Sequence, residues 1–302
     1  MIRRFVASIL VLAGLPVLFA QAQEEGPVPT QAIVSVTSKS APPTDAAALT
    51  VQVNGRKAPL TSWAPVTPSS AQVALLIDTG LRESIGREID SLKSFVRTLA
   101  PGTEVLVGYM QHGMVSSEGF TTDHEAAAAA VRLPEGIPGN SASPYLCLSD
   151  FVNKWPTPST GGSKARFVVM VTDGVDPYNG STSVMNQDSP YVDAAIRDAQ
   201  RAGVAVYAIY FSDAGIRGGS ANFSGQSYLQ QLAEGTGGVN FWQGIGSPVS
   251  TEPYLKAFQK ALAESYVATF NAPASHDLVR VKFSAPKAKL RGPEQVQPGN
   301  KE

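Results

Sequence analysis

Two stretches of this chain are apolar without a break, and each closes on an aspartate. Val73-Ala74-Leu75-Leu76-Ile77 runs into Asp78, and Arg166 to Thr172 (RFVVMVT), unbroken apolar from Phe167 to Val171, runs into Asp173. A strand with one wet face alternates apolar and polar residues. A run with no polar position fits a strand covered on both faces, as in a parallel sheet flanked by helices. The segment after Asp78 changes period. Ile85, Ile89, Leu92, Val96 and Leu99 fall on one side of an amphipathic helix, and Pro101-Gly102 stops it.

The alternation then recurs. Glu104 to Met110 reads as a strand and Met114 to Phe120 as a short edge strand. Thr122-x-x-Glu125 reads as a capping box that opens an alanine-rich helix running to Arg132. Tyr145 to Trp155 reads as helical. Ser189-Pro190 pairs a capping serine with a first-turn proline, and that helix ends at Gly203. Val204 to Tyr210 and Gly238 to Trp242 are further strands, with helices at Tyr228 to Glu234 and Tyr254 to Glu264 and a mobile Gly/Ser-rich loop at 215–225. Repeated strand–helix units imply parallel pairing with right-handed crossovers. The expected fold is a three-layer, doubly wound α/β sandwich with a mostly parallel sheet.

Both ends depart from this rhythm. Ala32 to Ser38 alternates and is β-branched. Leu49 to Val53 and Lys57 to Trp63 flank Asn54-Gly55, the pair suited to a tight hairpin turn. Tyr266 to Phe270 and Leu278 to Phe283 alternate again. These five segments predict a small flanking β element built from both termini, with residues 23–31 an unstructured lead and 285–302 a frayed tail. Arg3-Arg4, an apolar run broken by Gly14 and Pro16, and Ala20-Gln21-Ala22 have the order of a secretory signal peptide. The expected division is therefore 1–22 signal, 23–68 N-terminal β segment, 69–265 α/β domain and 266–302 C-terminal β segment and tail. It implies export to a periplasmic or extracellular compartment, with no membrane span once the signal is removed.

Composition narrows the chemistry. The formal charge is −1 and no run of basic residues stands out, so nucleic acid is excluded as the expected partner. Cys147, the lone cysteine, lies in an apolar stretch and reads as a core thiol. His112, His124 and His276 show no ligand spacing. In doubly wound sheets, ligands bind at the carboxyl ends of strands where strand order reverses. Asp78 and Asp173 both fall there, and two carboxylates could hold a hard divalent cation. Equally, an aspartate at a strand end can cap the helix that follows. Asp176 and Tyr178, on the long polar loop leading to Asp188, border the same edge.

At these residues the chain resembles the von Willebrand factor A family. Leu75-Leu76-Ile77-Asp78 looks like its opening motif. Val169-Met170-Val171-Thr172-Asp173-Gly174 looks like its second acidic motif, and Phe120-Thr121-Thr122-Asp123 is similar to the start of a later helix. Val53 to Pro59, Glu264 to Val267 and Val279 to Phe283 resemble the flanks of bacterial exported relatives. The resemblance implies a non-enzymatic, protein-binding adhesion or scaffold role. It also implies a metal site of Asp-x-Ser-x-Ser, a distant Thr and a second Asp. Asp78 and Asp173 match, but Gly80 and Arg82 stand where the serines belong, and Ser141 or Ser143 would replace the distant threonine. A guanidinium from Arg82 bonded to Asp78 or Asp173 would neutralise the pocket without metal. The expected cofactor is thus none, the alternative being Mg2+ or another divalent cation on Asp78, Ser141 and Asp173. A rival reading takes Asp78-Thr79-Gly80 as the Asp-Thr-Gly of an aspartic protease. The helix that follows it at once, and the absence of a second such motif, oppose that reading.

Overall fold

The computed structural model describes residues 26–37, 48–81, 83–135, 143–179, 188–211, 218–242, 244 and 249–300. The signal-like segment, Arg82 and Ser141 lie outside them.

Six strands form the central sheet: β5 (Ala71–Asp78), β6 (Glu104–Gln111), β7 (Met114–Ser117), β8 (Ala165–Thr172), β9 (Val204–Tyr210) and β10 (Asn240–Phe241), in the order β10-β9-β8-β5-β6-β7. All neighbours are parallel except β7, which folds back on β6. The order corresponds to the doubly wound arrangement with one antiparallel edge. The uninterrupted runs do lie under helices on both faces. Val73, Leu75 and Ile77 face α1 (Ile89–Thr98), α2 (His124–Ala129) and α6 (Glu252–Ala263). Ala74, Leu76, Val168 and Met170 face α3 (Pro144–Asn153), α4 (Pro190–Ala202) and α5 (Gly218–Thr236).

The flanking β element is larger than its sequence signals. Strands β1 (Val28–Val36), β4 (Leu60–Pro65), β11 (Ser265–Ala272) and β13 (Leu290–Arg291) make one four-stranded sheet. Strands β2 (Thr50–Val53), β3 (Arg56–Ala58), β12 (Val279–Ser284) and β14 (Gln295–Val296) make another. The two share one apolar core, including Ala32, Val51, Val53, Phe270 and Val279. The opposite face of β1 and β11 joins the α/β core through Ile33 and Val267. The N-terminal lead is strand from Val28, because β1 pairs with β11 along its length. The tail is likewise not frayed. Leu290 pairs with Val36, and Val279 with Val296. For β1 and β13 the cause is distance: their partner strands lie more than 200 residues away, and local composition carries no trace of them. β14 pairs with the nearby β12, which the Pro-, Lys- and Gln-rich composition masked.

Other corrections are local. Asn54 and Gly55 both take positive φ, as the tight turn requires, but the second arm breaks at Pro59 and β4 leaves for the other sheet. Asp123, not Thr122, caps α2, its carboxylate accepting from the Glu125 and Ala126 N–H groups. The segment read as a loop over 215–225 is helical from Gly218. Ser189 and Gly203 cap α4 as their chemistry predicts, Gly203 at φ 67°.

Candidate functional site

Strand order reverses between β5 and β8, and the carboxyl ends of those strands carry the two aspartates. Ile77 lies opposite Val171, so the next residues, Asp78 and Thr172, are neighbours across the sheet. Thr172 Oγ1 donates to Asp78 Oδ2 at 2.6 Å and accepts from Gly174 N–H at 3.1 Å. Asp78 Oδ1 accepts from Gly80 N–H at 2.8 Å. The carboxylate is 1% exposed. Thr79 Oγ1 donates to the Met110 carbonyl on the neighbouring strand. Asp78 therefore closes a turn within its own loop. It does not cap α1, which begins at Ile89.

Asp173 is half-buried, and its Oδ1 accepts from Val175 N–H at 2.9 Å. Gly174 takes φ 67°, and a Cβ there would meet the Gly225 carbonyl at 2.6 Å. Gly225 in turn brings α5 so close that its own Cβ would lie 2.2 Å from the Asp173 carbonyl. These two glycines let the loop after β8 and the start of α5 touch through backbone.

Asp176 is buried rather than presented to solvent. It accepts from Tyr178 N–H and from Ser189 Oγ, the latter at 2.7 Å. Ser189 thus caps α4 and pins the loop together. Tyr145 Oη donates to the Gly174 carbonyl at 2.7 Å. Burial, with the charges of Asp176 and Asp173 added, raises its phenol well above the ordinary value, so it serves as a neutral donor. Asn179 Nδ2 donates to Tyr228 Oη, and Tyr228 packs edge-on against Tyr145. The loop from Asp173 to Asn179 is consequently held at four points.

Ser143 sits just before α3 and is fully buried; its Oγ has no hydrogen-bond partner among the described residues. Gly80 is buried and supplies only its N–H. Arg82 and Ser141 lie outside the described residues. As a donor set for a hard cation these residues fit poorly. Position 80 has no side-chain oxygen, Thr172 points a hydroxyl hydrogen at Asp78, and Val175 N–H occupies Asp173 Oδ1. No group of three His, Cys, Asp or Glu side chains with metal-holding geometry occurs among the described residues. Cys147 is buried, and burial pushes its thiol up to about 12, which removes it as a nucleophile.

The same edge also gathers the exposed apolar side chains. Met114 opens β7 beside the end of β6, and Tyr178 follows β8. Phe223 lies near the start of α5, Trp242 follows β10, and Val249 precedes α6. Leu133 comes within reach of Gly86, on the segment after β5. Among the described residues these six are the large hydrophobics most open to solvent. None is on the β-sandwich or at the amino ends of the central strands.

Sequence reasoning missed Thr172 and Tyr145. For Thr172 the level with Asp78 comes only from the register, Ile77 opposite Val171, which the sequence does not give.

No protein-family model matches the chain, and comparison with curated proteins finds no match. Among solved structures it is similar to an aerotolerance-related membrane protein from Bacteroides fragilis, at 12% identity, covering 64% of this chain and 98% of that one, with TM-score 0.43. It is also similar to a von Willebrand factor type A structure from Catenulispora acidiphila, at 14% identity, 91% and 75% coverage and TM-score 0.43. A third is the pilus adhesin SpaC from Lactobacillus rhamnosus GG, at 9% identity, 82% and 48% coverage and TM-score 0.45. The strand order of the sheet, taken by itself, gives the core a doubly wound α/β architecture.

Proposed function

We propose that this chain is an exported, non-enzymatic protein-binding module whose partner docks on the carboxyl edge of the central sheet without a metal bridge. The observation that carries the proposal is the placement of Met114, Tyr178, Phe223 and Trp242. Exposed apolar side chains that share one edge, rather than being scattered over the surface, point to an interaction site, and Met and aromatic residues are the types enriched at such sites. The pinned loop from Asp173 to Asn179 supports the reading, because a preorganised surface loses less entropy on binding.

Metal independence rests on the donor set. Gly80 offers no side-chain ligand, and Asp78 and Asp173 are engaged by hydrogen-bond donors. The unpartnered Ser143 hydroxyl favours the alternative, a retained cation site. Calorimetric titration with Mg2+ and Mn2+ separates the two. The proposal expects no saturable heat, and micromolar binding abolished by Asp78→Ala would replace it with the metal-dependent reading. The protease reading loses ground, since Asp78-Thr79-Gly80 ends a parallel strand and leads into α1.

A further inference from the structure

The sheet of β2, β3, β12 and β14 buries one face and leaves the other in water. Val51, Val53, Ala58, Val279 and Val296 point inward, so the alternate residues point out. Register then assembles what the linear sequence keeps apart. Gln52 lies opposite Lys57 on one side and Lys282 on the other. Arg280 lies opposite Gln295. At the usual strand spacing, Lys57 and Lys282 stand about 10 Å apart with an amide between them, and Arg280 about 7 Å along the strand from Lys282. All three cations are exposed, and none has an ion pair or side-chain hydrogen bond among the described residues. Sequence reading passed over the cations of 280–291, and Lys57 joins them only through strand pairing. Lys287, Lys289 and Arg291 follow in a segment, 280–291, that contains no carboxylate. Glu294 helps line a shallow depression of about 440 Å³ bounded by Gln52, Arg280, Lys282 and Gln295.

We infer that this face binds a linear acidic polysaccharide, its cations meeting carboxylate or sulfate groups and its amides meeting hydroxyls. The interleaving of amides with cations favours a ligand that carries both anions and hydroxyls. No aromatic side chain points outward from these four strands, which removes the stacking platform a single-stranded nucleic acid would use. None of the large exposed hydrophobics lies on the sandwich, so insertion into a lipid surface has no anchor here. The surface is separate from the carboxyl edge of the central sheet, and neither assignment depends on the other.

The test is binding of the purified chain to immobilised heparin, as a sulfated glycan, and polygalacturonate, as a carboxylated one. Neutral dextran, phosphatidylglycerol vesicles, polyglutamate and duplex DNA complete the set. Binding to at least one acidic glycan is expected, weakening as salt rises, with none to dextran; the arm that binds identifies the anion. The triple variant Lys57→Gln/Arg280→Gln/Lys282→Gln should bind on the order of 100-fold more weakly, at about fivefold per exposed cation. Its melting temperature should be unchanged, because all three side chains are exposed. Absence of glycan binding, equal binding by the triple variant, or tighter binding to vesicles, polyglutamate or DNA overturns the inference.

Discussion

Replacing Glu104 by Gln should destabilise the fold by about 3 kcal/mol, and the loss should depend on pH. Glu104 begins β6 at the amino end of the sheet and is fully buried. Its carboxylate accepts from Gln72 Nε2 at 2.8 Å, Thr160 N–H at 2.7 Å, Ser159 N–H at 3.2 Å and Thr160 Oγ1. Lys164 Nζ, itself buried, lies 3.6 Å away and donates to the Ser69 carbonyl and to Thr160 Oγ1. Burial alone would raise this carboxyl. The Thr160 and Gln72 bonds and the Lys164 charge outweigh it and lower the pKa from 4.5 to about 2. A shift of that size corresponds to about 3 kcal/mol of linked stability. Because the folded value is depressed, the contribution is complete above pH 4.5 and fades as pH falls towards 2. Glutamine keeps the shape, but its NH2 group faces donors and leaves the Lys164 charge uncompensated, a defect of about 3–5 kcal/mol in buried pairs. Urea unfolding at neutral pH should show a lower midpoint with an unchanged slope. Between pH 4.5 and 2 the variant should lose less stability than the parent. Equal midpoints, or identical acid profiles, would refute the reasoning.

Three further outcomes follow from the carboxyl edge. Thr172→Val removes the hydroxyl that bonds Asp78 and Gly174 N–H, and should cost about 3 kcal/mol in chemical unfolding; Thr172→Ser should recover most of it. Gly225→Ala should lower stability by about 2 kcal/mol, read as a drop in melting temperature, although alanine is the better helix former, because its Cβ would overlap the Asp173 carbonyl. Cys147 should resist a thiol-specific disulfide reagent at pH 8 in the folded chain and react at once in denaturant; fast labelling of the native chain would contradict its burial.

The α/β core was legible in the sequence because its signals are local. Unbroken apolar runs marked the covered strands, and Ser189-Pro190 and Gly203 marked the ends of α4. What escaped was set by pairing at a distance. Composition at 285–302 suggested fraying, yet Leu290 pairs with Val36 near the other end of the chain. Lys57 and Lys282 form one face only because Gln52 pairs between them. The sequence placed Asp78 and Asp173 at the carboxyl ends of β5 and β8, where the structure has them, but it could not tell that Asp176 turns inward to Ser189. Nor could it find Tyr145, whose hydroxyl reaches the Gly174 carbonyl from another element.

The central claim is that the carboxyl edge binds a protein partner without a metal bridge. Photo-cross-linking amino acids placed at Tyr178 and Trp242, and at Lys154 on the opposite end of the domain as a control, test it in the producing cell. The account predicts one discrete adduct from Tyr178 and Trp242, none from Lys154, and the same yield with and without a divalent-cation chelator. Adducts of equal strength at Lys154, no adduct at the edge, or loss of the edge adduct on chelation would contradict it.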